Sequence, residues 1–225
     1  LFFPHPGWSE QNPEDWYAKF VEGVRELLEG CDRTQVEGIS FGGQMHGLVA
    51  LDEQDRVIRP AILWNDGRSA METEYLNDTI GRENISKYTA NIAFAGFTAP
   101  KILWMKKHEP ENFSRISKIM LPKDYLAYRI SGSFCTDVSD ASGMLLLDVK
   151  NRRWSAPMLG ICEMTERMLP RVYESYEVVG TLKKTLAAEL GLSSQVKVIA
   201  GAGDNAAAAV GTGTVGDGMC NLSLG

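Results

Sequence analysis

Asp204 is the residue best placed to do chemistry. It is the only carboxylate in the stretch Val196–Gly213, VKVIAGAGDNAAAAVGTG. The alternation of Val196, Val198 and Ile199 predicts a buried strand, Gly201 and Gly203 predict a sharp turn, and Ala206–Ala209 with Val210 predict a helix. A strand, a glycine turn and a helix open a crevice at the strand's C-terminal end, and an acid fixed there can take up a proton or orient a ligand. Two plainer alternatives stand beside that one. Asp204 can be only a helix cap that accepts a backbone N–H. The spacing Gly201-x-Gly203-x-x-Ala206 also matches a dinucleotide fingerprint. Against the fingerprint, Asp204 would put a negative charge where a pyrophosphate needs a helix N-terminus, and no acidic ribose partner follows about 20 residues on.

A second group of reactive types lies at two other glycine-marked strand ends. Met45 and His46 stand between Gly42-Gly43 and Gly47, where the backbone can approach a ligand closely. Gln44 precedes them, and Asn65, Asp66 and Arg68 follow the apolar run Ala61–Trp64. A lone histidine is more often structural than functional; the flanking glycines are what favour a contact role for His46. Gly38-Ile39-Ser40-Phe41-Gly42 matches a nucleophile elbow, with His108 downstream as a base, and would make a serine hydrolase. That motif needs a helix directly after the serine, whereas Leu48–Leu51 reads as another strand. There is no G-x-x-x-x-G-K-[ST] phosphate loop. Three scattered histidines and the separated Cys31, Cys135, Cys162 and Cys220 give neither metal spacing nor a disulfide framework, so no metal site is expected.

These residues need a scaffold, and 225 residues at 44% hydrophobic can bury a substantial core. A formal charge of -6 and the lack of any basic patch longer than Lys106-Lys107 or Arg152-Arg153 argue against a nucleic-acid partner. No apolar run approaches the roughly 18 residues of a membrane helix, so no membrane partner is expected, and the separated cysteines read as reduced thiols of a cytoplasmic protein. Leu1 at one end and the strand-like Met219–Gly225 at the other read as cut ends.

Asn12-Pro13-Glu14-Asp15 begins a helix whose apolar positions Trp16, Phe20, Val24, Leu27 and Leu28 read as core. Val36–Phe41, Leu48–Leu51 and Ala61–Trp64 read as strands, and Ser69 with Glu72 as a capping box opening a helix to about Ile80. A helical segment follows, with Lys101–Lys107 and Pro110–Ile119 as short helices and another helix from Leu121 to about Gly132. A polar turn at Thr136–Asp140, a helix at Ser155–Leu159 and the amphipathic Leu182–Leu190 lead back to Val196. The sum is an α/β fold: a mixed central sheet with flanking helices and a helical insertion.

Phe41–Gly47 (FGGQMHG), Leu63–Arg68 (LWNDGR), Phe97–Pro110, Leu121–Leu126 (LPKDYL), Asp140–Asp148 (DASGMLLLD) and Gly201–Gly213 together closely resemble the FGGY carbohydrate kinases, over nearly the whole chain. The Gln-Met-His-Gly element points more narrowly to members that phosphorylate D-xylulose. The resemblance implies an actin-like (ribonuclease H-like) fold in which a sugar and ATP meet between two domains, with 1–225 an N-terminal sugar-binding domain lacking its first strands and the ATP-binding domain. It implies Asp204 as general base, Met45, His46 and Asn205 as sugar contacts, and ATP with Mg²⁺ as cofactors. Asn65, Asp66 and Arg68 take supporting roles, and Trp64 belongs to the core or lines the cleft. ATP-site residues are not assigned, the isolated piece is expected not to turn over, and a homodimer is left open. Ribulose, glycerol, gluconate or fuculose are the alternative substrates.

Overall fold

The computed structural model describes residues 1–223. Its organising feature is a pair of parallel chain segments. Gly38–Ile39 runs beside Lys197–Val198 and, after a break, Gly42–Gly43 runs beside Ala202–Gly203. The break is enforced at Gly201, whose φ of +76° and whose closeness to Phe41 leave no room for a side chain: a Cβ there would lie 2.2 Å from the Phe41 carbonyl oxygen. Val178–Thr181 pairs antiparallel on the far side of Lys197–Ile199. The other ladders are short. Val49–Leu51 pairs with Lys118–Met120 and Glu10–Gln11 with Ala61–Ile62, both antiparallel. Cys135–Asp137 pairs in parallel with Arg171–Tyr173, and Leu147–Asp148 is antiparallel to Arg153–Trp154.

The α/β class and the mixed strand directions agree with the sequence reading, but the central sheet is split into ladders of two or three strands among the described residues. Helix Pro13–Leu27 starts as its sequence dictates, with the Asn12 side chain accepting from the Glu14 N–H. Leu27, expected in the core, is 76% exposed at the helix end, while Val21 and Leu28 are buried. The capping box at Ser69 does not form. The Ser69 hydroxyl donates instead to the Ala95 carbonyl, and Glu72 is buried. The helix expected to reach Ile80 runs as Ala70–Glu74 and continues as a π-helical stretch, Tyr75–Gly81. The helix expected over Pro110–Ile119 ends at Ser114, because Lys118–Met120 is drawn into the ladder with Val49–Leu51. Of the strand-like C-terminal segment, Met219–Ser223 forms no strand, and Leu224 and Gly225 lie outside the described residues.

Three apolar clusters hold these pieces together. One surrounds helix Thr98–His108 with Ile102, Met105 and Leu145–Leu147. A second joins Val198 to Ile130, Leu186 and Leu190, and a third joins Val49 and Leu51 to Met120 and Tyr125. Each buried Leu or Ile in them contributes roughly 1.5–3 kcal/mol.

Asp66 and Arg68 are structural, as expected. Both side chains are fully buried, 2.7 Å apart, and the Ser9 N–H donates to Asp66 Oδ2 at 2.6 Å, tying the N-terminal segment down. Arg68 Nη1 also lies 2.7 Å from Glu10 Oε1, off the hydrogen-bonding direction, and its guanidinium lies 3.8 Å over the Trp8 ring. Asp66→Ala leaves a buried guanidinium without the carboxylate that accepts two of its hydrogen bonds. The expected loss is about 3 kcal/mol of unfolding free energy, read by urea denaturation of the full-length protein; a change under about 0.5 kcal/mol, the usual size for an uninvolved surface position, would overturn the structural assignment.

Candidate functional site

Gly43 and Gly203 are paired neighbours, so the chain that follows each emerges at the same end of the parallel segment. After Gly203 comes helix Asp204–Gly211, with Gly203 at the capping position and Asp204 as first helical residue. Asp204 therefore is not the cap itself. Its Oδ1 accepts from the Asn205 N–H at 2.8 Å, and the carboxylate and the Asn205 side chain are both exposed. The alanines of this helix serve packing as their size predicts, since a Cβ at Gly42 would stand 3.2 Å from the Ala207 Cβ.

After Gly43 the chain turns back through Met45 and His46. The Gly47 N–H bonds to the Met45 carbonyl across His46, whose φ is +66°, which makes a γ-turn with a left-handed non-glycine residue at its centre. Such a backbone costs on the order of 1–3 kcal/mol and persists only where its surroundings hold it. Met45 meets the other turn directly: a Cβ at Gly203 would lie 2.9 Å from Met45 Cγ. Gly143 likewise leaves room for the imidazole, because a Cβ there would stand 2.3 Å from His46 Cε1.

The imidazole is fixed on several sides. Its Nδ1 is 2.9 Å from the Gly143 carbonyl oxygen, and its ring is 4.5 Å from that of Phe97. A carbonyl only accepts, so the proton sits on Nδ1 and Nε2 offers a lone pair to a ligand hydroxyl. Burial holds the His46 pKa below the ordinary 6.5, against the opposing Gly143 hydrogen bond; the charge of Lys101 lowers it further and that of Asp204 raises it. Asp204 is thus close enough to be felt by His46.

Behind the two turns lie polar groups that sequence reasoning did not single out. Lys123 is completely buried, with Nζ 2.7 Å from Asp124, 2.8 Å from Asp137 and 3.8 Å from Asp140, and it donates to the Ala200 carbonyl at 3.3 Å. Burial opposes its charge, but the three carboxylates keep it protonated. Asp137 Oδ2 accepts from the Ser139 hydroxyl, and that hydroxyl oxygen accepts from the Gly203 N–H at 3.2 Å. The chain Lys123, Asp137, Ser139 therefore ends on the residue before Asp204. Burial is the main force pushing Asp140 well above the carboxylate range; among the described residues neither of its oxygens has a hydrogen-bond partner. Lys101, also fully buried, donates to the carbonyls of His46 and Gly96. A clue was legible in the Lys123-Asp124 pair inside LPKDYL and in the apolar run Ile102–Met105 beside Lys101.

Of the other expected positions, Gln44 turns away. Its Nε2 donates to Gln11, and it lines a cavity of about 430 Å³ with Trp16, Phe20 and Phe41. Asn65 is exposed, and Trp64, 51% exposed, is not core. No helix follows Ser40, since the chain re-enters a strand at Gly42, so the elbow geometry is absent. A cavity of about 780 Å³ lined by Asp52, Arg56, Arg115 and Arg167 contains none of the site residues. Among the described residues no group of three or more His, Cys, Asp or Glu is placed to hold a metal ion, and no helix is long and apolar enough to cross a membrane. Cys31, Cys135, Cys162 and Cys220 are free thiols.

Residues 1–211 match the model for the N-terminal domain of the FGGY family of carbohydrate kinases. The chain is 46% identical over 222 residues to a xylulose kinase of Escherichia coli strain K12, covering 99% of this chain and 45% of that protein. A solved structure described as a xyloylose kinase from Brucella ovis superposes with a TM-score of 0.90 at 44% identity, over 96% of this chain and 45% of the other. A gluconate kinase from Lactobacillus acidophilus also gives 0.90, at 25% identity, over 95% and 43% of the two chains. The chain spans less than half the length of these relatives.

The tautomer and burial of His46 set its titration. In ¹H–¹⁵N spectra of the full-length protein, its ring is expected to be neutral with the proton on Nδ1 at pH 7 and to titrate below 6.5. Protonation on Nε2 at pH 7, or a midpoint at or above 6.5, would contradict the site as drawn.

Proposed function

From the premise that this chain belongs to the FGGY family of carbohydrate kinases and has its actin-like, ribonuclease H-like fold, we propose that it is the N-terminal, sugar-binding domain of a xylulokinase. The reaction is ATP plus D-xylulose to ADP plus D-xylulose 5-phosphate. The observation that carries this reading is that the turn bearing Met45 and His46 and the turn leading into Asp204 leave the same end of a single parallel strand pair and come together where Met45 packs against Gly203. Xylulose kinases among the relatives support the pentulose over other sugars.

In this reading Asp204 accepts the proton of the sugar's terminal hydroxyl as that oxygen attacks the γ-phosphorus. The new P–O bond forms while the bond to the β–γ bridging oxygen breaks, and ADP leaves. Asn205 fixes one carboxylate oxygen through its backbone N–H, so the other is free to take the proton. His46 accepts a second sugar hydroxyl at Nε2, Met45 packs against the carbon skeleton, and the Asn205 side chain bonds another hydroxyl. Phosphoryl transfer depends mostly on positioning and charge stabilisation, which suits a site whose two turns are held from behind. ATP is taken to be held mainly by a further, C-terminal domain. Mg²⁺ would travel on the nucleotide phosphates, since it retains waters and takes few dedicated protein ligands; it supplies charge neutralisation there. A cytoplasmic enzyme follows from the same reading. The gluconate kinase likeness is the reason other family substrates belong in the assay.

The test is ADP release by the full-length protein with D-xylulose, D-ribulose, L-fuculose, glycerol and gluconate. D-xylulose is expected to be preferred, and a higher kcat/KM for another sugar would replace the substrate while keeping the mechanism. Asp204→Ala is expected to lower kcat by at least about 10³-fold with the fold intact, and wild-type turnover would remove Asp204 as the base. His46→Ala is expected mainly to raise KM for sugar, by about tenfold; an unchanged KM would take His46 off the contact surface.

A further inference from the structure

We propose that Lys101, with Thr98 beside it, is a positioning residue for sugar recognition: from the buried side its ε-nitrogen clamps the His46 carbonyl and so fixes where the imidazole points. The inference rests on the reading of His46 as a sugar contact and goes beyond it by naming what holds that contact in place.

Lys101 lies in helix Thr98–His108, wholly buried among Ala99, Ile102, Leu103 and Met105. A lysine in such a place is costly unless paired, and a methionine would fill the same space without a polar group to satisfy. Its hydrogen-bond partners are two main-chain carbonyls, His46 O at 2.8 Å and Gly96 O at 2.6 Å. Burial brings its pKa down to about 7, with Asp66 opposing and Arg68 adding to the shift. The uncharged amine carries two N–H groups, and two carbonyls are what it meets. Whatever Lys101 contributes is therefore delivered at those two carbonyls.

One of them belongs to the residue that most needs holding. His46 is left-handed at the centre of a γ-turn, so its own backbone preference would rotate the imidazole away. The Thr98 hydroxyl adds a second donor to the same carbonyl oxygen at 3.1 Å. The other carbonyl, Gly96 O, precedes Phe97, the ring that packs 4.5 Å from the imidazole. A single nitrogen thus joins the backbone of His46 to the segment that supplies the wall against its side chain. Lys101 is buried beneath this arrangement and reaches no sugar, so its effect passes through His46.

A double-mutant cycle in the full-length protein, with sugar KM and kcat measured separately, tests this. Lys101→Met is expected to raise KM for D-xylulose about tenfold and to change kcat less than about threefold. In a His46→Ala background the same substitution is expected to add less than about twofold, because the side chain it positions is gone. A purely structural role predicts the opposite, effects that multiply. A KM within twofold of wild type for Lys101→Met, or multiplicative effects in the double variant, overturns the proposal. If Lys101→Met does not fold, Thr98→Val decides, since it keeps the shape and removes only the hydroxyl: KM up about threefold, and no further rise with His46→Ala, supports the clamp, while an unchanged KM overturns it. Wild-type protein that phosphorylates no sugar refutes the sugar-site reading and the clamp together; wild-type turnover with an unaltered KM in the variants refutes the clamp alone.

Discussion

A buried lysine nitrogen must find partners, and two such nitrogens organise this site. Lys123 finds three aspartates and stays charged. Among the described residues Lys101 finds only carbonyls as hydrogen-bond partners, and its proton is held loosely. In both cases one partner lies on a segment remote in sequence, Ala200 for Lys123 and His46 for Lys101. Lys123 links the helix Pro122–Ser131 to Asp137 and to Ala200, and Lys101 links the helix Thr98–His108 to His46 and Gly96. Because an unsatisfied ammonium in an apolar interior costs several kcal/mol, neither set of contacts is free to loosen. The turns that lead to Asp204 and through His46 are held in place by groups buried behind them.

The two solutions differ in consequence. Three carboxylates around one ammonium carry an excess of negative charge when all are ionised, and burial, the largest influence on Asp140, pushes its pKa well above the usual carboxylate range. The Lys101 arrangement carries at most one charge, and its two bonds survive whether the nitrogen holds two protons or three.

Much of this was legible in the sequence. Strand, glycine turn and helix around Asp204 followed from β-branched alternation, Gly201 and the alanine run, and the start of the first helix followed from Asn12-Pro13. The glycines around Met45 and His46 announced close approach, and the structure shows what approaches: Gly143 and Gly203 fit against those two side chains. Other features depended on partners that no local pattern reveals. Ser69 and Glu72 satisfy the capping pattern, yet Ser69 bonds across to Ala95. Lys118–Met120 reads as the end of a helix until Val49–Leu51 is there to pair with it. Trp64 is apolar and still exposed, and Leu27 has the right helical phase but falls where the helix has run past its neighbours. The buried lysines were the largest omission, since their burial depends on carbonyls and carboxylates that only tertiary packing brings within reach.

The parallel pairing of Gly43 with Gly203 has one more implication. Neighbouring strands in a sheet stand about 4.8 Å apart, and that spacing is a property of backbone hydrogen bonding that side chains do not alter. Since the segments carrying His46 and Asp204 leave from adjacent members of one ladder, the gap between the points from which they depart is gauged by the sheet itself. A fold built this way holds the bases of its two turns at a constant gap while the side chains they carry remain free to vary.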